Sequence, residues 1–212
     1  MAESIAGIAI PDSTVAREAT ELVRDAASEL IFDHSRRVFV FGALRGRDQG
    51  MNFDAELVYV GAMFHDLGLT ERYRRTDQRF EIDGADEAHR FLLSHGITEE
   101  AADQVWTGIA LHTTPEVPLH MAPEVALVTR GVELDVLGIG YDAISDEERA
   151  AVVAAHPRPN FKKQILAAFT DGIKDRPETT FGNVKADVLE HFVPGFQRID
   201  FVEVIKNNAW PE

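Results

Sequence analysis

The feature that most constrains this chain is a helical spacing of apolar residues that recurs almost from one end to the other. Val15, Ala19, Leu22, Val23, Ala26, Leu30 and Ile31 fall three or four apart, which places them on one helix face. Asp12, Ser13 and Thr14 offer N-caps just before that segment. Further helices are predicted from about 33 to 44, ending near Gly46, and from about 54 to 66, with Gly68 as the stop. A turn-rich stretch holding Arg72, Arg74, Arg75 and Arg79 follows. The pattern resumes near Gly84 and runs to His95. Thr98 caps a helix reaching about His112, and Pro115 and Pro118 forbid its continuation. Pro123 suits the first turn of a segment reaching about Leu137. Ser145 and Glu148 form a capping box for a short helix that stops before Pro157. Phe161 to about Lys174 is amphipathic, and two short helices are expected beyond Asn183. The run Val38–Phe41 alone would pass as a buried strand, but its neighbours extend the helical pattern. With no repeat and no linker, the expectation is one all-α helical bundle over residues 1–212.

The chain's 212 residues suffice for one substantial core. A formal net charge of −15 repels nucleic acid phosphates and anionic membrane surfaces, so neither is an expected partner. No apolar run approaches the roughly 20 residues that cross a bilayer. The N-terminus lacks the basic start and apolar stretch of a signal peptide. There is no cysteine, which excludes disulfides, thiolate metal sites and thiol nucleophiles, and fits a cytoplasmic location. Any metal must be held by His, Asp or Glu.

Those residue types occur in telling places. His65-Asp66 closes the apolar helix that contains Met63 and Phe64. Burying a His and an Asp is costly unless both find partners, and a divalent cation satisfies both at once. Adjacent residues at a helix end point about 100° apart, so both can turn toward one ion lodged beyond the terminus. His34 opens a second helix, and Asp135 is an acid flanked by Leu134 and Val136. Two imidazoles and two carboxylates suit zinc first, with iron or manganese also compatible, and leave positions open for water and substrate.

The order His34, His65-Asp66, Asp135 resembles the H…HD…D pattern of HD-domain metal-dependent hydrolases. The match runs from about 33 to 137, a metal-binding core with 138–212 as a helical extension. The strings His34-Ser35-Arg36-Arg37, Phe64-His65-Asp66-Leu67-Gly68, Phe80-Glu81-Ile82-Asp83-Gly84-Ala85 and Ile109-Ala110-Leu111-His112-Thr113-Thr114-Pro115 are similar to the cyanamide hydratase-like branch. So are Asp135-Val136-Leu137-Gly138 and Phe181-Gly182-Asn183-Val184. The resemblance implies an all-α fold and one divalent metal on His34, His65, Asp66 and Asp135. It also implies an activated water that adds to a nitrile-like carbon, giving urea from cyanamide or an amide. Asp66 and His112 would then be the catalytic groups, and Thr113, Thr114, Phe64 and Trp106 would face the small-molecule substrate.

Binuclear members carry an extra His just before the Gly-Ala that opens the helix after the HD pair. Here Asp83 precedes Gly84-Ala85, so a mononuclear site is expected and an oxygenase disfavoured, although Glu81 or Asp83 could supply an oxygen ligand. Two alternatives stay open beside the hydratase. One is a phosphohydrolase using Arg36, Arg37 and the arginines at 72–79 as a phosphate clamp. The other is a non-enzymatic metal-binding domain. A homo-oligomer is compatible with the sequence.

Overall fold

Side-chain caps at Ser13, Ser28, Asp54, Thr98 and Ser145 start helices of the computed structural model, which describes residues 3–210. The Ser13 hydroxyl accepts from the Ala16 amide and opens α1 (Thr14–Ala26). Ala27 is extended, and Ser28 caps α2 (Glu29–Asp48). Leu30 and Ile31 therefore belong to α2, not to the first helix as their spacing suggests. The apolar rhythm runs unbroken across two helices, and only the second cap marks the division. Val38–Phe41 is helical within α2, as expected.

Asp54 caps α3 (Ala55–Phe64), which is buried on all sides from Leu57 onward, the mark of a central helix. A short 3₁₀ turn, Leu67–Leu69, follows the HD pair. Next come α4 (Phe80–Ser94), starting one turn earlier than predicted, and α5 (Glu99–Leu111), capped by Thr98. α6 (Pro123–Val132) widens into a π-helical turn, Glu133–Leu137. α7 (Asp146–Ala155) carries the predicted capping box, and α8 (Phe161–Ile173), α9 (Lys185–Phe192) and α10 (Phe201–Lys206) complete the chain. The fold is thus all-α apart from one small antiparallel ribbon, β1 (Ser4–Ile5) with β2 (Ile8–Ala9). No helix among the described residues is long and apolar enough to cross a membrane.

Two close crossings set the site. Gly131 on α6 lies where a Cβ would strike the Val38 carbonyl of α2, so these helices pack backbone to backbone. Gly84 on α4 stands similarly against the Phe64 carbonyl of α3. The main core gathers α1 to α6, while a second cluster of Ile31, Leu69, Phe80, Phe161, Ile165 and Leu189 seats α8 and α9 beside it.

Candidate metal centre

Three histidines meet beside Asp66. His34 comes from the second turn of α2, His65 and Asp66 from the end of α3, and His112 from the end of α5. All four are almost wholly buried. Each imidazole commits its Nδ1 hydrogen to an acceptor. His65 donates to the Ala62 carbonyl at 2.7 Å, His112 to the Ile109 carbonyl at 2.6 Å, and His34 to Asp135 Oδ2 at 2.7 Å. In a neutral ring this leaves a lone pair on every Nε2. The Nε2 atoms of His34 and His65 face each other at 3.1 Å. Asp66 Oδ2 lies 3.6 Å from the first and 3.3 Å from the second, and Asp66 Oδ1 lies 3.6 Å from His112 Nε2.

Neither Asp66 oxygen nor His112 Nε2 has a hydrogen-bond partner among the described residues. Buried acceptors facing one another without a donor call for a cation between them. One ligand atom each from His34, His65 and Asp66 lies within 4.8 Å of the others. Atoms held roughly 2.0–2.2 Å from one tetrahedral ion stand roughly 3.3–3.6 Å apart, close to the 3.1, 3.3 and 3.6 Å found here. These residues fit a divalent metal.

The charges agree. Burial pushes His34 below the ordinary histidine range and so favours the neutral ring that a metal needs. Burial alone would raise Asp66, but the neighbouring imidazoles of His65, His112 and His34 hold its carboxyl well below the usual range. At His65 burial acts to lower the ring, but the adjacent Asp66 carboxylate together with the Ala62 carbonyl raises it.

Asp135, expected as a fourth ligand, stands behind His34 instead of beside the cluster. Its Oδ2 accepts from His34 Nδ1 and from Arg37 (2.9 Å), and its Oδ1 accepts from Arg37 Nε (2.9 Å) and lies 3.0 Å from Arg158. Both oxygens are occupied, and against burial His34 and Arg37 keep this carboxyl strongly acidic. Asp135 orients an imidazole in the way outer carboxylates steady metal-binding histidines. Arg37 lies three residues after His34, on the same helix face, and that spacing was the available signal for its role.

His34, His65, Asp66 and His112 lie at one end of a cavity of about 330 Å³ that Thr113 and Thr114 also line. Two other expected contacts lie elsewhere. Phe64 points into the core against Phe91, with ring centroids 5.2 Å apart. Trp106 donates to Asp86 and borders a separate surface cleft with His89 and Asp103.

Lys185, a buried lysine at the start of α9 that lines the cavity, carries no signal in the sequence. It pairs with Glu81, which also accepts from Thr113 and Arg79. Burial pushes the Lys185 ammonium down to about 8. Burial would raise Glu81, but Lys185, His112 and Arg79 bring it down to about 2. Asp83 is likewise engaged, by Arg176, Gln78 and the Arg75 amide. Both oxygens of Asp83 are thus occupied, whereas the partners of Glu81 all meet Oε1 and its buried Oε2 has no partner among the described residues.

The family described as HD domain matches residues 31–154, more than half of the chain. Two curated relatives, the cyanamide hydratases DDI2 and DDI3 of Saccharomyces cerevisiae, are each 26% identical to it over 152 residues, covering 70% of this chain and 68% of theirs. The helical architecture, the buried His34, His65 and Asp66, and the extent of that match lead to one conclusion: the chain belongs to the HD domain family of metal-dependent hydrolases.

Proposed function

We propose that this protein is a metal-dependent hydratase that adds water across the C≡N bond of a small nitrile-like molecule, giving an amide, or urea when the substrate is cyanamide. The observation that carries the reading is the convergence of His34, His65 and Asp66 at the end of a cavity where His112 Nε2 has no partner. The likeness to two cyanamide hydratases supports the same chemistry.

His34, His65 and Asp66 would hold one divalent ion, zinc being the best fit to two imidazoles and a carboxylate, with iron or manganese as alternatives. Such an ion lowers the pKa of water toward about 7 and so makes it a nucleophile at neutral pH. Asp135 and Arg37 fix the ring of His34. Asp66, so strongly acidic, supplies charge to the ion and is a poor store for a proton. That task falls to His112, whose Nε2 takes the proton from water and returns it to the substrate nitrogen. One C–O bond forms, one C–N π bond breaks, and its electron pair receives the proton. A further proton shift from oxygen to nitrogen gives the amide. Thr113 and Thr114 offer hydroxyls to the polar end of the substrate.

The phosphohydrolase reading lacks its clamp. Arg36 is engaged by Glu3, Tyr59 and His156, and Arg37 by Asp135. None of the arginines at 72–79 lines the cavity.

The test is the metal-loaded full chain assayed on cyanamide, benzonitrile and p-nitrophenyl phosphate. Amide or urea formation is expected without phosphate release, and His112→Ala should cut turnover by about 10²-fold or more while keeping its metal. Phosphate release with no hydration of either nitrile would end this reading.

A further inference from the structure

The cavity is much larger than cyanamide. At about 30 Å³ per heavy atom, the N–C–N skeleton of cyanamide needs about 90 Å³. The cavity measures about 330 Å³. An ion and two waters take about 90 Å³ on the same scale, which leaves room for roughly eight further heavy atoms.

The walls of that remaining space are apolar. Val136, Phe169 and Val188 lie within it, and Leu137, Ile139, Leu166 and Val184 form its rim. Those four rim residues are exposed, Leu137 at 66% and Ile139 at 56%. They come from separate segments: the end of the π turn, the loop after it, α8, and the residue before α9. Large apolar side chains that converge from separate elements on one opening mark a surface that a ligand covers. The charges add a constraint. The Lys185 ammonium is matched by Glu81, and Glu133 contributes a carboxylate to the wall. Apart from the ion itself, an anionic ligand would meet no unmatched cation among the lining side chains.

We infer that the site takes an uncharged molecule in which the reacting polar group carries an apolar body of about five or six heavy atoms, such as an aryl or alkyl nitrile or a substituted cyanamide. The polar group sits at the His112 and Thr113 end, and the body lies between the π turn on one side and α8 and α9 on the other. The identity of the reacting group rests on the hydratase reading, whereas the apolar body rests on the cavity alone.

Calorimetry on the metal-loaded full chain, with urea and benzamide as unreactive probes, tests this. Benzamide should bind at least tenfold more tightly than urea. Val184→Asp, at a position 45% exposed where folding tolerates the change, should weaken benzamide tenfold or more while leaving urea binding and metal content within twofold. Leu166→Asn should act in the same direction. Equal affinities for the two probes, or benzamide binding untouched by both substitutions, would overturn the inference even if cyanamide is hydrated. Tight benzamide binding in a protein that hydrates no nitrile would uphold the apolar body and remove the hydratase reading instead.

Discussion

Asp135 acts on the metal centre through a neighbour. Its carboxylate holds the Nδ1 hydrogen of His34 and is itself held by Arg37 and Arg158. Asp135→Asn should therefore lower metal affinity by about 10- to 100-fold, read by chelator competition, with the stoichiometry unchanged. His65→Ala, which removes a ligand atom, should abolish metal retention. If the two substitutions proved equally severe, Asp135 would bind the ion directly. The sequence pointed to His34, His65 and Asp135 but not to which side of an imidazole the carboxylate would face, and not to Arg158 at all. It brought His34, His65 and Asp66 together because a buried His-Asp pair needs a cation. It failed at Phe64 because that residue, two positions before Asp66, lies about 200° around the helix from it, away from the ion and into the core. It failed at Lys185 because a lone lysine near a helix start looks like any solvated one.

Among the helices, the α2–α6 crossing carries the most consequence for function. Gly131 lets α6 approach until its backbone touches that of α2, and four residues later Asp135 reaches His34. Gly131→Ala should cost about 1–3 kcal/mol, because a Cβ there meets main chain and not a pliable side chain. A fall in melting temperature of roughly 3–10 °C would register it. A variant that melts with the wild type would show that the helices separate freely. Helix ends with explicit caps, at Ser13, Asp54, Thr98 and Ser145, were legible because each cap is a local hydrogen bond. The division at Ala27 was not, because the apolar stripe continues through it. The ribbon near the N-terminus escaped notice because strands of two residues leave no alternation to detect.

At the scale of the molecule, charge and burial are divided. The formal net charge of −15 is largely borne by the surface, while the cavity walls are mostly uncharged. Mutual repulsion among the acids weakens the compact state and is screened by salt. The melting temperature should rise by a few degrees between about 20 mM and about 300 mM NaCl. A fall would mean that surface ion pairs outweigh repulsion.

The matched segment, 31–154, contains every residue around the ion, whereas Leu166, Phe169, Val184, Lys185 and Val188 lie beyond it. The apolar wall is thus shared, Val136, Leu137 and Ile139 coming from the matched segment and α8 and α9 supplying the facing side. Drift confined to the side supplied by α8 and α9 can retune which molecules are admitted while every side chain facing the ion keeps its place.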